Sequence, residues 1–138
     1  MKEVEKFAVA GFLYNKNNNK VLLHLRDGNT KFNPNKWAFF GGLGEEGETP
    51  LGAFVRELHE EVGLSVLEKD VKELDSYFNS ELKTARYVFF VDSCVEVDEL
   101  TLGEGAGFAW IPLTEVDDYN LTEKTKRDLD YFITNHKG

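Results

Sequence analysis

"GGLGEEGETPLGAFVRELHEEVGL", Gly41 to Leu64, decides how the rest of the chain is read. It sets six glutamates against one arginine, a local balance of −5 in a chain whose formal net charge is −9. Thr49 is a helix cap and Pro50 suits a first helical position, while Gly63 stands where helices commonly end. The pattern predicts a helix over Pro50 to Val62. Leu51, Phe54, Val55, Leu58 and Val62 form one apolar stripe at 3.6 residues per turn, so the helix is expected to pack on a sheet.

Glu57, Glu60 and Glu61 lie at i, i+3 and i+4, which brings their side chains to one patch beside that stripe. At about 5 Å and an effective dielectric of about 20, each ionised pair costs on the order of 3 kcal/mol. Such a patch calls for a cation or a proton. An all-oxygen donor set suits a hard divalent ion, and Mg²⁺ typically joins a few carboxylates to a substrate's phosphates. The competing reading is a solvated acidic helix face.

Outward from the helix, "KFAVAGFLYN", "KNNNK" and "VLLHLRD" read as a hairpin about an Asn-rich turn. Alternation in its second strand assigns Val21, Leu23 and Leu25 to a core face and Leu22, His24 and Arg26 to a face with polar tips. "DGNTKFNPNK" is a loop, and "WAFFGG" ends in a glycine pair that permits close backbone approach. "VKELDSYF", "ARYVFFVDSCV" and "FAWI" read as further strands, the second apolar on both faces and hence central. In the tail, Thr122 caps a second helix that buries Leu129, Phe132 and Ile133.

At 138 residues, 41% hydrophobic and 30% charged, the chain suits one domain, 1–138, able to bury its own core. Its acidity argues against partnership with a nucleic-acid polymer or an anionic membrane, and a phosphate substrate then needs a metal to mediate. Cys94 is the single cysteine, which fits a reducing, cytoplasmic setting and reads as a small core residue. Met1 to Lys6 lacks the positive leader of a signal peptide, and no apolar run approaches the roughly 20 residues of a membrane span.

From Gly42 the spacing runs through Glu48 to Arg56-Glu57-Leu58, then Glu60-Glu61 and Gly63-Leu64. This 23-residue pattern resembles the Nudix box at every defined position, and the order of elements around it resembles the Nudix domain of MutT-like proteins along nearly the whole chain. The resemblance implies an α/β fold, a mixed β-sheet sandwiched between α-helices. It implies hydrolysis of a nucleoside diphosphate linked to another moiety, with water attacking phosphorus and a divalent metal, Mg²⁺ with Mn²⁺ as alternative, stabilising developing charge.

Carried residue by residue, the resemblance makes Glu57, Glu60 and Glu61 metal ligands, with the backbone carbonyl of Gly41 as a further one. Arg56 and Glu48 become the residues that orient the acidic cluster. Glu104, in "LGEGAGFAW", is similar in context to a MutT-type glutamate that binds metal or acts as base; a solvated loop residue is the alternative. Arg26 is a candidate for phosphate, with His24 beside it, and Asn120 for the base edge. Trp37, Phe39, Tyr77, Phe78 and Tyr87 are core by default, one of them free to stack a base. Two departures stand out: Phe40 replaces the proline that many members have before the glycine pair, and Asn79 stands where ADP-ribose subgroups often carry proline.

The expected activity is conversion of a nucleoside triphosphate, oxidised or not, to monophosphate and pyrophosphate. Cleavage of an ADP-sugar or other nucleotide conjugate is the nearest alternative, and a non-catalytic nucleotide-binding module is the other. The expected partner is a small nucleotide, and the expected assembly a monomer or homodimer.

Overall fold

Thr49 and Gly63 bound the first helix as their chemistry requires. In the computed structural model, which describes residues 6–26, 28, 35–80, 83–101 and 107–135, helix α1 spans Pro50–Val62. The Thr49 side chain accepts from the Gly52 N–H, and Gly63 closes the helix in the left-handed conformation at φ 72°. The second helix, α2, spans Glu123–Asn135. Thr122 Oγ1 accepts from the Thr125 N–H at 3.2 Å, the expected cap.

The strands are β1 (Phe7–Asn15), β2 (Lys20–Leu25), β3 (Trp37–Ala38), β4 (Phe40–Leu43), β5 (Val71–Asn79), β6 (Thr84–Asp92) and β7 (Gly107–Pro112). They form one sheet along the path β3-β2-β1-β6-β5, with β4 paired to β1 and β7 to β2. β1 and β2 are the expected antiparallel hairpin, its turn containing Asn19 at φ 57°. β1 and β6 run parallel, which makes the sheet mixed.

β1 shows why both faces are covered. Val9 and Leu13 point to a cluster containing Ala53, Phe54, Leu58 and Val62 of α1. Ala10 and Phe12 point to the opposite cluster, which contains Leu129 and Phe132 of α2. Gly11 faces α1, where an added Cβ would meet the Phe89 carbonyl and lie 2.6 Å from the Phe54 ring. A strand between two helices buries alternate residues on both sides, and the fold is the mixed sheet sandwiched between helices.

Three expectations fail for reasons visible in this packing. Leu22, assigned to a polar-tipped face, is fully buried under α1, and His24 is 8% exposed, because β2 also lies between layers. Cys94 is exposed, since β6 stops at Asp92 and the chain leaves the core before reaching it. Phe78 is exposed, near the end of the sheet's outer strand β5. Among the described residues no helix is long and apolar enough to cross a membrane.

Candidate active site

β4 delivers the acidic segment to the start of α1. Gly41 pairs with Ala10 of β1 at φ +156°, and a side chain there would run into the Val9 carbonyl. The backbone therefore approaches β1 as only glycine allows. The following loop is closed on itself: the Glu45 N–H donates to Glu48 Oε1 at 2.8 Å, and the Gly44 N–H to the Phe7 carbonyl at 3.0 Å.

Arg56 organises what surrounds it. Its Nε donates to Glu48 Oε2 at 2.8 Å and its Nη2 to Glu48 Oε1 at 3.0 Å, a two-bonded fork. Nη1 donates to Glu57 Oε1 at 3.0 Å and to Glu60 Oε2 at 3.2 Å, and Nη2 also reaches the Leu43 carbonyl at 3.2 Å. These bonds engage all five donors of the guanidinium. Hydrogen bonding from Arg56 holds the Glu48 carboxyl below its usual range. Reciprocally, the bonds to Glu48, then Glu60 and Glu57, raise the proton affinity of Arg56.

Glu57 and Glu60 share one Arg56 nitrogen, and Glu61 is engaged elsewhere. Glu61 Oε2 accepts from the Gly41 N–H at 2.9 Å, so it turns toward β4, while Arg56 bonds both Glu57 and Glu60. The charge balance expected of a metal is thus partly supplied by the arginine. Among the described residues no three His, Cys, Asp or Glu side chains gather closely enough to hold a metal alone. The donor chemistry still fits a hard divalent ion, because Mg²⁺ takes one or two carboxylates together with waters and substrate phosphate oxygens. Glu60 is the most available of the cluster, its side chain 55% exposed against 16% for Glu57.

Glu61, Gly41 and Gly42 open onto a cleft of about 410 Å³ whose lining also includes His24, Arg26, Arg86 and Lys124. Arg26, the sequence's candidate for phosphate, is thus among the lining residues. The His24 Nε2 bonds the Phe39 carbonyl at 3.0 Å and the ring stacks on Phe40. Burial, its main perturbation, lowers the histidine to about 4; His24 is a neutral, structurally engaged ring. Asn120 is exposed and does not line this cleft; its carbonyl accepts from the Trp37 N–H at 2.8 Å. Glu104 lies outside the described residues.

Sequence reasoning missed Arg86 and Lys124. Arg86 had a signal: it is a lone cation in the otherwise apolar run "ARYVFFV", and a charge on a central strand needs a partner. Lys124 had none, since a lysine in the first turn of a helix is ordinary.

The NUDIX domain model matches residues 5–133. The chain is similar to a nucleoside triphosphatase, NudI, of Escherichia fergusonii, at 28% identity over 106 residues, which cover 70% of this chain and 75% of that protein. Its fold is similar to MutT from work on Aliivibrio salmonicida and Vibrio cholerae, with a TM-score of 0.76 and 22% identity over 95% of this chain and 98% of the other. It is likewise similar to a MutT protein from Methanosarcina mazei Go1, with a TM-score of 0.78 and 19% identity over 100% and 99% of the two chains. Fold and matched segment together define a hydrolase that acts on pyrophosphate bonds. The chain belongs to the NUDIX family.

Proposed function

We propose that the chain, as one domain over residues 1–138, is a Mg²⁺-dependent cytoplasmic pyrophosphohydrolase that converts a nucleoside triphosphate and water to a nucleoside monophosphate and pyrophosphate. One observation carries this reading. One cleft is lined both by Glu61 with Gly41 and Gly42 and by the cations Arg26, Arg86 and Lys124. A polyphosphate ester requires both, cationic groups for its oxygens and carboxylates for the metal that activates phosphorus. The similarity to a nucleoside triphosphatase supports the choice of substrate.

Glu57, Glu60 and Glu61, with the carbonyl of Gly41, would hold the ion. When bound, Mg²⁺ supplies Lewis-acid stabilisation of charge on the phosphoryl oxygens. Arg56 fixes Glu57 and Glu60 in azimuth around the helix, and Glu48 fixes Arg56. Arg26 receives phosphate oxygens. Glu104 is assigned as the base that takes the proton of the attacking water as the phosphoric anhydride bond breaks.

The test is formation of the nucleoside monophosphate and its co-product, pyrophosphate from a triphosphate and a sugar phosphate from ADP-ribose, across nucleoside triphosphates, oxidised analogues, ADP-ribose and other conjugates, with Mg²⁺, with Mn²⁺, with chelator, and in Glu60→Gln. Metal-dependent turnover of triphosphates, lost in the variant, is expected. Turnover of conjugates alone would move the substrate assignment to ADP-sugars, and nucleotide binding without any turnover would overturn the hydrolytic reading.

A further inference from the structure

Phe39 is where the chain changes partners. Ala38 pairs with His24 of β2 and Phe40 with Gly11 of β1, while Phe39, between them, belongs to neither ladder. The residue is 5% exposed, so its backbone groups need partners away from water. Both partners are side chains on other elements. The Phe39 N–H donates to Thr125 Oγ1 of α2 at 3.3 Å, and its carbonyl bonds His24 Nε2 of β2 at 3.0 Å.

Thr125 is itself fixed from several sides. It is 1% exposed; the Thr122 hydroxyl donates to its Oγ1 at 2.8 Å, and its own N–H returns to Thr122 Oγ1 at 3.2 Å. Thr122 is tied to the same segment of chain as Thr125. Its N–H donates to the Trp37 carbonyl at 3.0 Å, and the Trp37 N–H donates to the Asn120 carbonyl at 2.8 Å. The start of α2 is thereby fastened at Trp37 and again at Phe39. Capping the helix needs only the bond from the Thr125 N–H to Thr122; the bond to Phe39 lies outside that task.

One residue separates this clamp from the acidic cluster. Phe40 is 1% exposed and its ring stacks on the His24 imidazole at 5.1 Å, so close packing leaves it little room to absorb a shift. Beyond it the Gly41 N–H bonds Glu61 Oε2 at 2.9 Å, and Gly41 lies hard against the Val9 carbonyl. A tilt of the Phe39 peptide is therefore passed on to Gly41. His24, Phe39, Gly41, Glu61 and Thr125 all line the same cleft.

Resting on the metal-dependent reading above, we propose that Thr125 is a positioning residue of the active site. From α2 it holds the Phe39 peptide and, through it, the Gly41 peptide, which orients Glu61 and presents the carbonyl assigned to the ion. The position needs a hydroxyl, because an apolar side chain of the same shape leaves a buried N–H unpaired.

The experiment compares Thr125→Val, nearly the same shape without the acceptor, with Thr125→Ser, which restores it. The amide resonance of Gly41, recorded without metal, reads the bond to Glu61. The amide of Gly63, held by the His59 carbonyl at the far end of α1, is the control. Titration with Mn²⁺ alone, followed by electron paramagnetic resonance, reads the ion site. In Thr125→Val the Gly41 amide proton should move upfield and Gly63 should stay. The Mn²⁺ Kd should rise about tenfold, and kcat should fall without a matching rise in KM. Thr125→Ser should keep the wild-type resonance and a Kd within about threefold of wild type. A melt checks folding; if Thr125→Val does not fold, Thr125→Ala, which leaves room for about one water on the Phe39 N–H, should shift Gly41 the same way. An unmoved Gly41 resonance or an unchanged Mn²⁺ Kd in the folded variant overturns the proposal, as does Thr125→Ser impaired as much as Thr125→Val. Wild type that takes up no Mn²⁺ at millimolar concentration sinks the metal assignment and the proposal with it. If resonance and Kd move as expected while no nucleotide is hydrolysed, the hydrolytic reading fails and the role of Thr125 stands.

Discussion

Arg56 grips Glu48 through two bonds of 2.8 and 3.0 Å from different nitrogens, while a third nitrogen reaches Glu57 and Glu60. The guanidinium is therefore a spacer between the loop and the helix face, and a single ammonium cannot reproduce its planar fork. Arg56→Lys should lower kcat about 10–100-fold with little change in melting temperature. Steady-state kinetics on the nucleotide that the substrate panel shows to be turned over, beside a thermal melt, checks this. An unchanged kcat would show that the fork is structural decoration.

The adjacent glycines separate stability from activity. A Cβ on Gly41 would collide with the Val9 carbonyl, and one on Gly42 would stand 2.7 Å from Glu57 Oε1. The first obstacle is backbone and cannot yield cheaply; the second is the end of a side chain. Gly41→Ala should destabilise the fold by about 1–3 kcal/mol, read by chemical denaturation. Gly42→Ala should leave stability nearly intact and displace Glu57, reducing turnover. Equal effects of both on stability would contradict this division.

These positions also show what the sequence could carry. Thr49, Pro50 and Gly63 wrote the limits of α1 because caps and turns depend on local chemistry. The stripe from Leu51 to Val62 announced a sheet beneath it, and the resemblance supplied its sandwiched architecture. The parallel pairing of β1 with β6, from Phe7 opposite Ala85 to Tyr14 opposite Asp92, is a contact between distant segments that no local pattern encodes. The error over Leu22 has the same origin: alternation reports two faces, and only tertiary packing says whether both are covered. At the site, the order of Glu48, Arg56, Glu57, Glu60 and Glu61 was legible. That Glu61 bonds Gly41, and that Asp128 meets Arg86, depended on side chains from elements far apart in the chain.

Magnesium should act as a folded-state ligand. An ion held as proposed, by Glu57, Glu60 and Glu61 with the Gly41 carbonyl, would have no comparable site in the unfolded chain, so about a hundredfold excess over Kd should add about 2.7 kcal/mol of stability. Scanning calorimetry with and without Mg²⁺ reads the shift, and Glu57→Gln or Glu60→Gln should remove most of it. A shift that survives both substitutions would place the ion elsewhere.

His24 should make the fold acid-sensitive over a defined window. Burial lowers it from 6.5 to about 4, the charge of Arg26 adding to that and the bond to the Phe39 carbonyl opposing it. Above pH 6.5 both folded and unfolded chains hold the ring neutral, and it contributes no pH dependence. Between about 6.5 and about 4 the unfolded chain takes up a proton that the folded one refuses, so stability falls by up to about 1.4 kcal/mol per pH unit. Below about 4 both are protonated and this loss stops growing. His24→Gln keeps an N–H for the Phe39 carbonyl and removes the titration. Between pH 7.5 and pH 5.0 the wild type should therefore lose about 2 kcal/mol more unfolding free energy than the variant, measured by urea denaturation at both values. Equal losses would mean that the folded ring takes up its proton over the same range as the unfolded chain, and the neutral ring assigned to the cleft would have to be abandoned.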